Sequence, residues 1–199
     1  MTRTILSFSN LLAFLLISLN VAGASQKSHP ALFIDDAEFL AMKKAVLSGK
    51  SKPLSIMHST YMAMAEECVR KDKPIEYKPN ESGKLLPVSR EALRQIGCCA
   101  YAYRFTKDPK YLWRAESVLN DVCDFPTWHP AHYLDVAEMA TAVSIGYDWL
   151  YYKLDKETIA KCERAIADYL FDTADDESGY LEKFHMKNNW GQVLNAGLV

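Results

Sequence analysis

The chain has 199 residues, a formal net charge of −2, and 49% hydrophobic against 24% charged residues. That balance excludes the basic excess of a nucleic-acid binder and leaves enough apolar residue for one domain-sized core. Any anionic ligand must therefore be gripped by a few local basic residues rather than by an overall field.

The N-terminus reads as an export signal. Arg3 supplies the positive charge, the apolar stretch is densest from Leu11 to Leu19, and Ala22-Gly23-Ala24 supplies an A-x-A cleavage site. Ser7, Ser9, Asn10, Ser18 and Asn20 interrupt the apolar run, which favours a signal peptide over 1–24 rather than a membrane span. The sequence therefore predicts a periplasmic or secreted protein, free of the membrane after cleavage, with residues 25–199 as one domain.

Beyond the signal, hydrophobic periodicity predicts helix after helix. Asp35 and Glu38 form a capping-box pattern, and the helix they open is stopped by Gly49. A second helix starts near Pro53 and places Leu54, Met57, Tyr61, Met64 and Cys68 on one face. Residues 72–88, with three prolines, Asn80 and Gly83, read as a long loop. Ser89 then opens a third helix with Leu93, Ile96, Ala100 and Tyr103 as its buried line.

Asp108-Pro109 is a restart, with a cap residue followed by proline at the first helical position. Its helix carries Leu112, Ala115, Leu119 and Val122. Pro126 and Pro130 bracket an irregular segment, and Asp135 to Tyr152 is helical again. Asp155 caps the next helix, with Ile159, Cys162, Ile166 and Tyr169 inward, followed by a polar turn over 172–179. A last helical pattern begins at Asn188–Asn189. No segment alternates convincingly enough for a strand. The short connections at 106–108 and 153–155 require antiparallel neighbours, so the expected fold is all-α, built of helical hairpins that curl into a solenoid or an (α/α) toroid.

Five cysteines are an odd number, and their spacing does not decide a pairing. Cys98, Cys99, Cys123 and Cys162 lie in helical patterns among apolar neighbours, so buried free thiols are favoured over a bridge. No zinc-knuckle spacing is present, and neither a metal nor a cofactor is expected.

Three stretches are richer in polar and aromatic residues than packing requires. In the first, Trp128 to Glu138, a metal site from His129, His132 and a carboxylate competes with two other readings. One is a tight turn with locally bonded histidines; the other is a glycan-contacting rim. In the second, Ile145 to Tyr152, the aromatics read as core, Gly146 implies a closely packed neighbour, and Asp148 is a candidate buried hydrogen-bond hub. In the third, Phe184 to Gln192, His185, Lys187, Asn188, Asn189 and Trp190 exceed what a helix cap needs, and amides at a helix N-terminus suit a carboxylate ligand.

His132-Tyr133-Leu134-Asp135-Val136-Ala137-Glu138-Met139, then Tyr147-Asp148-Trp149-Leu150, then Asn188-Asn189-Trp190-Gly191-Gln192-Val193, together resemble heparinase II/III-type polysaccharide lyases. The resemblance runs over roughly residues 29–199 and implies the N-terminal portion of an incomplete (α/α) toroid domain. It implies β-elimination at a uronic acid of an acidic polysaccharide, heparin-like or another, with Asn189 as carboxylate neutraliser and Asn188 in reserve. Trp190, His185, Lys187, Gln192, His132 and Glu138 are then the expected substrate-binding residues. Some relatives carry histidine where this chain has Trp190. The proton-transferring tyrosine and histidine are expected from chain after this motif, so the chain alone is expected to be an inactive fragment. Two alternatives stand beside the lyase. A glycoside hydrolase would draft two of Asp135, Glu138 and Asp148, and a non-catalytic helical-repeat module would bind glycan or protein.

Overall fold

The computed structural model describes residues 28–174 and 189–198. Among them the fold is all-α: seven helices of ten residues or more and no strand. They are α1 (Asp36–Leu47), α2 (Lys52–Lys71), α3 (Leu86–Thr106), α4 (Pro109–Cys123), α5 (Leu134–Leu150), α6 (Lys156–Ile166) and α7 (Asn189–Leu198). None of these helices is long and apolar enough to cross a membrane. The proposed signal peptide lies outside the described residues.

The predicted caps are present. Asp35 and Glu38 close a reciprocal capping box, Asp108 accepts the Lys110 N–H, and Asp155 accepts that of Thr158 at 2.7 Å. Gly49, at φ +65°, follows the end of α1 in the left-handed region that glycine adopts without strain.

Side-chain partners fix how the hairpins stack. Gln95 bonds Arg114 across α3 and α4, and Tyr147 bonds Glu163 across α5 and α6, so each pair is an antiparallel hairpin. Between hairpins the register is parallel. Leu85 meets Asp135, Arg90 meets Glu138, and Arg104 lies over Trp149, so α3 and α5 run side by side in one direction. The outer helices repeat this, with Glu116 against Asp155, Asn120 against Thr158 and Asp124 against Lys161. One hairpin is thus laid on the next with its direction kept, the arrangement of a helical-repeat stack.

Four expectations need correction. The third helix starts at Leu86 rather than Ser89, because Pro87 suits a first turn and the Ser89 hydroxyl is spent on the Asp135 carbonyl at 2.9 Å. Its buried surface is also not one line. With α2, α4 and α5 packed around it, α3 buries Ala92, Gln95, Ile96, Arg104 and everything from Cys98 to Ala102. Tyr61, expected on the inner face of α2, is 40% exposed. The polar turn expected over 172–179 begins as helix: α6 passes through a π-helical turn, Ala167–Phe171, into Asp172–Ala174, and the rest lies outside the described residues.

The deep interior lies between α3, α4 and α5, where Ile96, Leu119, Val122, Met139 and Val143 are fully buried. Gly146 belongs to this contact: a Cβ there would stand 2.7 Å from Ile96 Cγ2 and 2.9 Å from Leu119 Cδ2. The close neighbour that its sequence position implied is therefore α3 on one side and α4 on the other. Five free cysteines, all buried, complete the interior.

Candidate functional site

The segment between α4 and α5 is held from both ends. Trp128 is fully buried and donates its indole N–H to the Val122 carbonyl at 2.9 Å. His129 takes a left-handed conformation at φ 62°, its N–H capped by the Thr127 hydroxyl, and Pro130–His132 form one 3₁₀ turn. This turn delivers two imidazoles to the first turn of α5.

There Asp135, 0% exposed, collects three donors. Its Oδ2 accepts the Leu85 N–H at 2.7 Å and His129 Nδ1 at 2.8 Å, and its Oδ1 accepts His132 Nδ1 at 2.7 Å. A carboxylate only accepts, so both rings donate to it from Nδ1. A carboxylate behind an imidazole fixes its tautomer and orientation, as in sites where histidine moves protons. His132 is buried, whereas the His129 side chain is 24% exposed.

Glu138, one turn further along α5, is held by Arg90 of α3 through both carboxylate oxygens, at 3.0–3.1 Å. The Glu138 hydrogen bond raises the Arg90 pKa. Arg90 is itself largely exposed, so this ion pair sits at the rim beside the Asp135 cluster.

At the far end of α5, Asp148 is the hydrogen-bond hub that its position in the sequence implied. It accepts His29 Nδ1 at 2.6 Å, the Ala31 N–H through both oxygens, and the Leu32 N–H at 2.9 Å. Trp149 reinforces the same strap by donating to the Leu32 carbonyl at 3.0 Å, and the His29 ring stacks on Tyr151. All of this capacity is spent on the N-terminal segment.

These positions tell against the glycosidase reading. Asp135 and Asp148 are thirteen residues apart on one helix, about 20 Å at 1.5 Å per residue. The two carboxyls of a glycosidase stand about 5–10 Å apart. Asp135 and Glu138 are near neighbours, but both are committed to partners and one is fully buried.

The asparagine motif opens α7. Asn189 is its first residue and exposed, Trp190 follows in the first turn, Gly191 is buried, and Gln192 is exposed. The helix packs along α5, anchored by the fully buried Leu194 and by Gly197, where a Cβ would lie 2.7 Å from the Ala137 Cα. Asn189 and Gln192 are therefore carried on the helix that rests against the one bearing Asp135 and Glu138. Asn188, His185 and Lys187 lie outside the described residues.

Sequence reasoning missed Arg90 and the Leu85 N–H as partners of this region, since both are about fifty positions from α5 and carry no local signal. It also missed the gathering of Cys68 with Cys98 and Cys99, thirty residues away. The His129–His132–Asp135 group does not present three ligand atoms to one point. Among the described residues, the group whose ligand atoms all lie within 4.8 Å of one another is the cysteine trio. No protein-family model matches the chain, and no curated protein matches its sequence.

Proposed function

We propose that the protein cleaves a uronic-acid-containing polysaccharide by β-elimination, its hairpins forming part of a heparinase II/III-type (α/α) toroid, and that it acts outside the cytoplasm after removal of residues 1–24. The reaction removes the proton beside the sugar carboxylate, breaks the bond from the β-carbon to the glycosidic oxygen, forms a carbon–carbon double bond, and returns a proton to the leaving oxygen. That first proton is too weakly acidic to leave unless the neighbouring carboxylate is neutralised.

The observation that carries the reading is Asn189, exposed as the first residue of α7. Its amide provides a neutral donor at the start of the helix, where the dipole favours an anion. A carboxylate bound there loses its hold on the negative charge without an ion pair, and the adjacent C–H becomes more acidic. Gln192, also exposed and one turn on, adds a second amide on the same helix.

Protein expressed from the complete open reading frame and incubated with a panel of acidic glycans tests this. The expected product is an unsaturated uronate end, read by its ultraviolet absorbance. New reducing ends without that absorbance would replace elimination by hydrolysis, and no cleavage of any uronate polymer would remove the enzymatic reading.

A further inference from the structure

Cys68 of α2 faces Cys98 and Cys99 of α3 across an antiparallel helix contact. All three are at most 2% exposed, their sulfurs lie within 4.8 Å of one another, and the Cys68–Cys98 pair is at 3.7 Å. At a metal–sulfur bond of about 2.3 Å, sulfur–sulfur edges are about 3.8 Å in a tetrahedron and about 4.0 Å in a planar triangle. The trio is therefore within about an ångström of metal-binding geometry. A disulfide would require one pair to close to about 2.05 Å and would leave the third sulfur idle.

The three thiols are electrostatically linked. Hydrogen bonding with Cys98 and Cys99 lowers the Cys68 pKa, with Arg94 adding its positive charge, whereas Cys98 and Cys99 are raised. A pocket of about 200 Å³ is lined by Cys68 together with Arg94, Arg114, Gln95 and the exposed Lys71, an approach to the trio through Cys68.

We propose that Cys68, Cys98 and Cys99 form a buried three-sulfur site for one copper(I) ion. Soft thiolates select copper(I), which is content with three sulfur ligands. Structural zinc takes four ligands, and among the described residues no imidazole or carboxylate joins this group. Binding displaces the thiol protons to solvent, and the positive charge of Arg94 beside Cys68 offsets part of the resulting negative charge. The site is independent of the lyase reading.

Reduced protein, handled without oxygen, is titrated with copper(I) against a chromophoric copper(I) chelator. One equivalent per chain should be withheld from the chelator, and X-ray absorption should show a shell of sulfur alone. Cys68→Ser and Cys99→Ser should each weaken retention at least about tenfold. A Cys123→Ser/Cys162→Ser variant, altered at the other buried thiol pair, should keep full stoichiometry. Mass-mapped alkylation of the unmutated protein in mild denaturant covers the case of a variant that fails to fold: copper(I) should shield Cys68, Cys98 and Cys99 and leave Cys123 and Cys162 as reactive as before. No copper withheld, equal shielding of all five thiols, or retention unchanged by the Cys68 and Cys99 variants would overturn the proposal. So would a Cys68–Cys98 disulfide that survives reduction and leaves no copper bound.

Discussion

The buried Asp135 carboxylate accepts the Leu85 backbone N–H at 2.7 Å, tying the first turn of α5 to the residue that precedes α3. Leu85 is fully buried, so water cannot serve that amide. His129 and His132 lean on the same carboxylate. Asp135→Ala strands three donors at once, each costing about 1–3 kcal/mol if left buried and unpaired. A loss of at least about 3 kcal/mol is expected from urea unfolding. Asp135→Asn keeps an acceptor oxygen but sets an NH₂ against a donor, and should recover only part of the loss. Stability unchanged in the alanine variant would mean that the cluster is not formed in solution.

Asp148 performs the equivalent task at the other end of α5. Its three backbone bonds hold residues 31 and 32 against the helix, and His29 closes the contact. In Asp148→Ala the strap should peel away while the hairpins stay folded. Hydrogen exchange should accelerate at the Ala31 and Leu32 amides and remain slow at those of Ala100 and Val143. Equal protection in mutant and parent would show that the strap is held by something other than this carboxylate.

Gly146 marks a close approach of α5 to α3 and α4. Alanine improves helix propensity by about 1 kcal/mol, but its methyl would intrude on Ile96 and Leu119. Overpacking of that kind costs about 1–3 kcal/mol, so Gly146→Ala should be destabilising on balance. Ile96→Val in the same background should relieve part of the strain, giving a negative coupling in a double-mutant cycle. A stabilised single variant would mean that α3 and α5 leave room for a methyl group at this point.

The candidate site is tested separately from the fold. Asn189 is exposed, so Asn189→Ala should leave thermal unfolding nearly unchanged. Removing a donor to developing negative charge costs about a hundredfold or more in turnover where that donor acts in the transition state. The loss should appear mainly in kcat. Full activity in Asn189→Ala would shift the neutralising role to Asn188 or to another group.

The caps of α1, α4 and α6 are legible in the sequence because they depend on neighbours: Asp35 with Glu38, Asp108 with Pro109, and Asp155 with Thr158 act within one turn. The hub at Asp148 was legible for a different reason, as a carboxylate set among aromatic residues needs buried partners. What the sequence concealed were relationships between turns far apart. The all-round burial of α3 depends on three helices meeting there, and nothing in its own periodicity distinguishes a central helix from a lateral one. Arg90, Leu85 and the cysteine trio belong to that class: each partner is chosen by the parallel or antiparallel register of helices, which spacing alone does not fix.

Tyr101 provides a test of α3's central position through pH. Its ring is buried between α1 and α2, and its hydroxyl lies 2.9 Å from His58 Nδ1. Burial, with a smaller effect from Tyr61, pushes its pKa up to about 12 from the ordinary value of 10.0. A phenol whose pKa is raised on folding binds its proton more tightly in the native state. Its contribution is therefore fully present below pH 10 and is lost as pH rises through 12. Alkaline unfolding should set in across that window, with the Tyr101 phenolate absorbance appearing together with loss of helical ellipticity. Tyr101→Phe removes the ionisable group and should flatten this part of the pH–stability profile, at the expense of the His58 contact near neutrality. An unchanged alkaline slope in the phenylalanine variant would place the titrating group elsewhere.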